Sequence, residues 1–428
     1  MRNRFGFNVL ALALLSPVAL ASGGNDTDDV DLDKVHVPAL ENVSVTANPG
    51  HGVTFSAGDD FSLRIYNRIQ VQWRFSELDP PPGSNAQPTV QNFRVRRART
   101  KFDGHVFSPD TTFRFYLEWA STGSNMLDAW IQQKLWSNED WTLTGRAGAG
   151  KTQYGKEATG SSGGLEFTER SLATRTFADN RSTGALLTLR GQENKLRINV
   201  GLWNSDTAAG NRFGSAPNTN NGDNEINFMF GANYDFQGDA GDLESYKQGD
   251  LERSDEWAFS AHGALWIGNE RGVGGGTPDV DVLAFNFGGS AKGNGVHVLA
   301  EAFFYNAEPD VAGSTDTDAN GWNVQGSYAL EDGWGVGARV SMVDIDSNNG
   351  TALITAASGG TTGGGLSLPV GGGGAINGSV TEFTLGVSKY LNGHARKIQG
   401  DITFQNVNPD SGSDSDDIIL RIMATLAI

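Results

Sequence analysis

Residues 61–75 read FSLRIYNRIQVQWRF, and apolar and polar side chains alternate along them. One parity carries Phe61, Leu63, Ile65, Ile69, Val71, Trp73 and Phe75, and the other carries Ser62, Arg64, Tyr66, Arg68, Gln70, Gln72 and Arg74. A period of two over this length predicts a β-strand with one apolar face and one face in contact with water.

The same alternation recurs along the rest of the chain and predicts sixteen strands. We place them near 61–75, 91–107, 111–120, 126–136, 141–149, 182–190, 195–203, 225–236, 255–267, 280–289, 295–306, 321–330, 334–345, 380–390, 396–407 and 417–428. An even number of amphipathic strands without long apolar runs is typical of outer-membrane barrels. The predicted fold class is therefore all-β: a transmembrane antiparallel β-barrel of about sixteen strands.

The connections between these strands alternate between short and long. Tight turns on the periplasmic side and long external loops produce that rhythm in bacterial barrels. The long connections include 150–181, 204–224 and the Gly-rich 346–379. Two connections break the rhythm, because 121–125 is short for an outer loop and 237–254 is long for a turn.

The N-terminal residues predict export. A positive start, a short apolar run and the sequence Ala19-Leu20-Ala21 indicate a signal peptide over 1–21. Residues 22–60 are acidic and are expected to form a flexible lead-in, and 61–428 are expected to form the barrel. No later segment is apolar enough for a membrane-spanning helix, so we predict the outer membrane as the location.

Composition narrows the possibilities further. Among 428 residues there are 57 glycines, 13 prolines and no cysteine, which excludes disulfides and Cys-ligated metal sites. Aromatic residues fall near predicted strand ends, where interfacial girdles would place them. They are Trp119, Trp136, Trp141, Trp203, Trp266, Trp322, Trp334 and Tyr390. We expect no cofactor and no bound metal.

One motif suggests a different function. Gly145 to Thr152 satisfies G-x-x-x-x-G-K-T, the pattern of a phosphate-binding P-loop. A P-loop needs a buried strand before it and a helix after it. Here the upstream residues alternate in polarity, and the downstream stretch QYGKEATGSSGG contains glycines that would break a helix. We therefore interpret the motif as the end of the fifth strand turning into a loop.

Charge is distributed unevenly along the chain. The net charge is −18, made up of −5 in 1–60, +6 in 61–200 and −19 in 201–428. The basic residues of the middle region fall mostly on predicted lumen positions. The densest group, Arg94, Arg96, Arg97, Arg99 and Lys101, occupies both parities. A bulge near Arg96–Arg97 or a position at the rim would reconcile it with strand geometry.

These basic residues are the candidate site. An arginine-lined path would lower the barrier for anions, because the guanidinium makes two parallel hydrogen bonds to phosphate or carboxylate. Bracing of the wall by arginine–carboxylate networks, with Glu118, Asp128 and Asp103 as partners, is the alternative. The candidates are Arg64, Arg68, Arg74, Arg94, Arg96, Arg97, Arg99, Lys101, Arg114, Lys134, Arg146, Lys151, Lys156, Arg175 and Arg181.

Several stretches together resemble the phosphate-selective porins O and P. They include GVTFSAGDDFSLRIYNRIQVQWRF, NFRVRRARTKFDGHVF, LTGRAGAGKTQYGKE and LEFTERSLATRTFADNRSTG, and the likeness runs from about residue 52 to 204. The resemblance implies a trimeric sixteen-stranded channel that passes anions by diffusion. It also implies that loop 150–181 folds inward as a constriction, with Arg94, Arg96, Arg97 and Arg99 beside it.

The sequence thus predicts a passive outer-membrane porin for small anions such as phosphate or polyphosphate, assembled as a homotrimer in lipid and without a nucleic-acid partner. A general or sugar-type diffusion porin without anion preference is the first alternative. A plugged active receptor is a second, suggested by ENVSVTA at 41–47. About 400 residues leave no room for the plug domain and 22 strands of such a receptor.

The six histidines, at 36, 51, 105, 262, 297 and 394, form no recognisable triad or metal spacing. We therefore predict no enzymatic activity.

Overall fold

The computed structural model describes residues 43–77, 89–120, 125–178, 181–204, 226–239, 244–271, 279–309, 316–347, 378–410 and 414–428. Sixteen strands form the barrel. They are β3 (Phe61–Glu77), β4 (Thr89–Val106), β5 (Ser108–Glu118), β6 (Asn125–Ser137), β7 (Trp141–Gly150), β8 (Ser182–Gly191), β9 (Leu196–Asn204), β10 (Ile226–Gln237), β11 (Ala258–Arg271), β12 (Asp279–Gly293), β13 (Val296–Pro309), β14 (Thr317–Ala329), β15 (Trp334–Ser347), β16 (Gly378–Asn392), β17 (Arg396–Pro409) and β18 (Ser415–Ala427).

Each strand pairs antiparallel with its neighbours in sequence, and the sheet closes on itself. The last strand pairs with the first barrel strand from Ile418↔Glu77 to Ala427↔Arg68. The prediction of a sixteen-stranded antiparallel barrel is confirmed, and every strand lies within four residues of its predicted bounds. The active-receptor alternative needs more strands than this closed sheet contains.

A hairpin precedes the barrel strands. It consists of β1 (Val43–Asn48) and β2 (Gly52–Ala57), and β2 pairs with Phe61–Ile65 of β3. The prediction that 22–60 is a flexible lead-in was therefore wrong for residues 43–57, where period-two alternation in GVTFSA continues into the sheet. The predicted signal peptide at 1–21 and the rest of the lead-in lie outside the described residues.

Strand parity separates the two faces of the wall. In β3, Ile69 and Val71 are exposed on the outside, whereas Arg68, Gln70 and Gln72 are buried on the inside. The bilayer stabilises this arrangement, because the apolar side chains lie in hydrocarbon and the polar side chains lie in the lumen. Parity therefore fixes which basic residues face the lumen.

The aromatic residues divide between the two faces. Trp119, Trp136, Trp322 and Trp334 are exposed on the outside, as an interfacial girdle requires. Trp203 and Trp266 do not belong to it, contrary to the prediction, because they are 2% and 7% exposed and pack inside the barrel. Position near a strand end does not reveal the face, and in β9 the parity of Trp203 is that of the buried Arg197 and Asn199.

A bulge interrupts β4 at the position where the arginines change parity. Gln70 pairs with Arg97, but the next residue, Val71, pairs with Val95, so Arg96 is the extra residue. An extra residue shifts the alternation by one position. The bulge, one of the two predicted solutions, therefore keeps Arg94 and Arg97 on the same inner face.

The connection from β7 to β8 folds into the lumen. It contains α1 (Lys156–Thr159) and α2 (Leu172–Phe177), and most of its side chains are buried. Neither helix follows directly on the glycine-rich motif, so the P-loop interpretation fails structurally. No helix among the described residues is long and apolar enough to cross a membrane.

An apolar core lies inside the barrel, between this loop and the wall. Tyr154, Leu172 and Ala173 of the loop pack with Trp266 and Phe303 of the wall. Phe177 stacks on Phe303 at 5.8 Å between ring centroids. The loop thus has an apolar side, and burial of that side fixes its position in the lumen.

The connection between β10 and β11, which is long for a turn, also enters the lumen. Its described part, 244–257, packs against the β7–β8 loop, since Gln248 accepts a hydrogen bond from the Glu166 amide (2.9 Å) and donates one to the Gly164 carbonyl (2.8 Å). Its extra length therefore forms a second inward segment at the turn end of the barrel. The predicted loop 346–379 falls almost wholly outside the described residues.

The assignment of faces can be tested at mid-strand. Phe285 lies on the outer face of β12 and stacks on Phe304 at 4.6 Å. Phe285→Arg should lower the free energy of unfolding by ~2–4 kcal/mol, because the charge would enter hydrocarbon. Urea titration in lipid vesicles measures this, with Phe285→Leu as the control. Equal midpoints for the two variants would contradict the assignment.

Candidate functional site

Seven arginines of the first two barrel strands face the lumen, and we call them the arginine column. They are Arg64, Arg68 and Arg74 on β3 and Arg94, Arg96, Arg97 and Arg99 on β4. Arg68 lies opposite Arg99, and Arg94 lies opposite Gln72. Because of the parity of β3 and the bulge in β4, these side chains lie on the same inner face of the wall, one above another.

Glu169 of the inward loop binds three members of the column. Its carboxylate lies 2.5 Å from Arg96 Nε, 3.0 Å from Arg97 Nη2 and 3.8 Å from Arg94 Nη2. Burial alone would raise the pKa of Glu169, but Arg97 and Arg96 outweigh it and hold that pKa well below the usual value. One carboxylate thus binds the loop to the column. Because it faces three guanidinium groups, it does not neutralise all of their positive charge.

Arg68 holds the loop through hydroxyl groups. Its guanidinium donates to Ser161 Oγ (3.1 Å), Ser162 Oγ (2.8 Å) and Tyr116 OH (3.3 Å), and it is 2% exposed. The loop approaches so closely that a Cβ on Gly163 would lie 2.1 Å from Arg68 Nη1. Arg68 is therefore a structural contact of the loop.

Lower on the wall, carboxylates compensate the column. Arg64 makes two hydrogen bonds to Asp103, of 2.9 and 2.7 Å, and Lys101 lies 3.3 Å from the same carboxylate. Arg99 Nε donates to Glu118 at 2.6 Å. The predicted bracing partners Asp103 and Glu118 therefore do pair with the column.

At the upper end of the column, near the β3–β4 connection, fewer carboxylates offset the positive charge. Arg74 has no carboxylate partner among the described residues, and its buried Nε has no hydrogen-bond partner there. It lies opposite Arg421 of β18, which in turn binds Asp401 at 3.1 Å. Arg94, with a side chain 39% exposed, donates two hydrogen bonds to Gln72 Oε1 and lies 3.8 Å from the Glu169 carboxylate. Positive charge is thus accessible near the loop end.

A second basic pair lies on β5 and β7. Arg114 and Arg146 both approach the ring of Trp130, at 4.9 and 4.3 Å from its centroid. Their guanidinium groups converge on Glu244 of the second inward segment, at 3.2 and 2.6 Å. Both residues face the lumen as predicted, and their counter-ion comes from a different part of the chain.

Three other candidates make ion pairs away from the column. Arg175 of α2 donates to Glu382 (2.7 and 2.9 Å), and Arg181 pairs with the third predicted bracing partner, Asp128, at 2.6 Å. Lys134 pairs with Asp110 near the β4–β5 and β6–β7 turns. These residues link the loop to the wall or lie at the rim.

Two candidates do not line the lumen. Lys156 is fully buried, its Nζ 2.5 Å from Ser260 Oγ and 4.6 Å from the Tyr246 ring centroid. Lys151 donates to the carbonyls of Thr159 and Gly160 within its own loop. The predicted contact with passing anions does not fit Lys156, because its side chain is fully buried. Lys151 is half-buried, and its ammonium group satisfies two carbonyl oxygens of its own loop.

The wall also supplies partners for the loop backbone. Glu301 accepts from the amides of Lys156 (2.6 Å) and Glu157 (3.2 Å), and Asp401 accepts from that of Thr168 (2.8 Å). Gln399 donates to the carbonyl of Glu166 at 2.6 Å, and Arg339 to that of Glu169 at 2.9 Å. These contacts fix an irregular segment across the lumen.

A family model described as phosphate-selective porin O and P matches residues 65–259 of this chain. Over that stretch the chain is similar to the family. The match covers the inward loop, Glu244 and six of the seven arginines of the column, all except Arg64. No curated protein matches the chain closely enough to count as a relative.

Solved structures with the same fold include outer-membrane channels. The anion-selective porin from Comamonas acidovorans is 12% identical, with a TM-score of 0.54 over 85% of this chain and 99% of that one. The channel DcaP of Acinetobacter baumannii is 11% identical, with a TM-score of 0.54 over 88% and 100%. The trimer form of OmpT from Vibrio cholerae is 12% identical, with a TM-score of 0.50 over 85% and 98%. With the family match over residues 65–259, the chain has the fold of an outer-membrane porin.

Sequence reasoning missed several residues of this porin's lumen. Arg421 and Arg339 lie in the acidic half of the chain, and Tyr246 and His297 meet at 2.5 Å between the second inward segment and β13. The alternation in IILRIMATLAI could have placed Arg421 in the lumen. Ile418, Ile422 and Leu426 share the outward parity, and Arg421 has the opposite parity. The candidate residues were chosen from the net-positive region 61–200, and Arg421 and Arg339 lie outside it.

The anchoring role of Glu169 can be tested by substitution. Glu169→Gln should lower the free energy of unfolding by about 3 kcal/mol, because removal of the carboxylate leaves the buried Arg97 without its ion-pair partner. Trypsin should also cut the loop faster, at Arg170 or Arg175. Glu139→Gln, at an exposed turn position, is the matched control. Unchanged stability and cleavage would show that the loop is held without this carboxylate.

Proposed function

We propose that this porin passes small anions, including phosphate, by passive diffusion along the arginine column, acting as a channel and not as an enzyme. The observation that carries the proposal is the shared counter-ion. Arg94, Arg96 and Arg97 share the single carboxylate of Glu169. Arg74 adds a further charge without a carboxylate partner among the described residues. A fixed excess of positive charge beside a constriction favours anions.

The chemistry of the column suits oxyanions. Arginine offers a planar fork that binds two oxygens of a phosphate or carboxylate at once, and its charge does not titrate in the physiological range. Arg94 has a side chain 39% exposed, so its guanidinium group reaches the lumen. The matched family, phosphate-selective porin O and P, supports phosphate as one of the transported anions.

A specific observation favours the alternative of a general diffusion porin. Most basic candidates are paired with carboxylates, as with Arg64–Asp103 and Arg99–Glu118. If pairing neutralised the whole column, the acidic remainder of the chain would favour cations. The zero-current potential across a bilayer in a salt gradient separates the two functions by its sign.

Selectivity should depend on the uncompensated upper end of the column. The double variant Arg74→Gln/Arg94→Gln should reduce the anion-to-cation permeability ratio by roughly half or more, because two fixed positive charges leave the pore. Reversal potentials of reconstituted channels in a potassium chloride gradient provide the measurement. Lys195→Gln removes one charge from an exposed turn and should leave the ratio unchanged. A double variant with the wild-type ratio would contradict the proposal.

We also propose that the porin assembles as a homotrimer. The trimer form of Vibrio cholerae OmpT, which shares the fold, and the wide apolar outer wall support this. Native mass spectrometry in detergent should give three copies of the mature chain. The assembly should dissociate on heating in dodecyl sulfate. A mass of one chain under mild conditions would contradict the trimer.

A further inference from the structure

The second inward segment delivers a carboxylate to the basic pair on β5 and β7. Glu244 lies on the connection between β10 and β11, at the turn end of the barrel, and not on the wall. Its Oε1 accepts from Arg146 Nη1 (2.6 Å) and Gln153 Nε2 (2.8 Å), and its Oε2 accepts from Arg114 Nη1 (3.2 Å). Both carboxylate oxygens are therefore bound by donors from β5, β7 and the first inward loop.

Glu244 is held in its charged form. Burial alone would raise the pKa of Glu244, but Arg146 and Arg114 outweigh it and hold that pKa well below the usual value. The side chain keeps 17% exposure, and that of Arg114 keeps 22%. The contact is therefore an ion pair at the edge of the water-filled lumen, where a dissolved anion can compete with it.

The donors around Glu244 have the geometry of an oxyanion site. Trp130 supports both guanidinium groups, whose carbons lie 4.9 and 4.3 Å from its ring centroid. Gln153 adds a neutral donor. A phosphate or carboxylate with two oxygens in the place of Oε1 and Oε2 would receive the same three hydrogen bonds.

Among the described residues, the other two carboxylates near this pair are shared with further basic groups. Asp103 lies 3.6 Å from Arg114 but is shared with Arg64 and Lys101. Asp128 lies 4.0 Å from Arg114 but is bound more closely by Arg181, at 2.6 Å. Without Glu244, two arginines near the turn end would therefore hold an anion with little competition.

We propose that Glu244 is an internal competitor for the transported anion. It occupies the site formed by Arg114, Arg146 and Gln153 and so keeps anion binding weak at the end of the path. A channel conducts only if its ions bind weakly enough to leave. Glu244 thus promotes release at the turn end, and the inference rests on the proposed anion path.

The test uses the full-length porin in planar bilayers, with inorganic phosphate as the probe. In chloride, added phosphate should block the wild-type current at some half-blocking concentration. Glu244→Gln keeps the shape but removes the competing charge, so it should lower that concentration about tenfold. Glu244→Asp keeps the charge and should remain close to wild type. Glu252→Gln, an exposed change on the same segment, is the matched control.

A second readout keeps the test decisive if Glu244→Gln assembles poorly. Phosphate should then raise the melting temperature of the variant more than that of the wild type, because it replaces the missing counter-ion. Equal phosphate block and equal thermal response in Glu244→Gln and Glu252→Gln would overturn the inference. Failure of the proposed function would be visible separately, as a wild-type porin without anion preference.

Discussion

An irregular segment buried inside a barrel must find a partner for each of its peptide groups, and this requirement governs the lumen of the porin. The described part of the β7–β8 loop contains two short helices, α1 and α2, and its other residues belong to no helix or strand. Unsatisfied buried peptide groups cost free energy comparable to a lost hydrogen bond. Glu301, Asp401, Gln399 and Arg339 of the wall satisfy them, and Arg170 does so from within the loop.

This requirement divides the basic residues by task. Lys151, Lys156 and Arg68 hold the loop in place, whereas Arg74 and Arg94 present charge near the lumen. Glu169 and Glu244 belong to both systems, since each fixes an inward segment and also sets how much positive charge remains for a passing ion. Structure and selectivity are coupled in this porin because the same carboxylates serve both.

The sequence predicts the wall better than its contents. Alternation in FSLRIYNRIQVQWRF reports a strand and its faces directly, because hydrocarbon and water impose a period of two. The charges in RVRRAR even indicated the bulge at Arg96. Loop contacts such as Glu169 with Arg96, or Glu244 with Arg146, join residues 73 and 98 positions apart, and no local pattern encodes them. Trp203 and Trp266 were misplaced because their position near a strand end does not reveal which face they occupy.

The seam between β3 and β18 has a consequence for assembly. Ile418 pairs with Glu77 and Ala427 with Arg68, so the closing contacts join the two ends of the barrel sequence. Loop-closure entropy makes such distant pairings slow to form. The β2–β3 hairpin, which uses neighbouring residues, covers the first part of the same edge. A nascent chain can therefore protect this part of the edge early, while the rest stays open until the last strand has arrived.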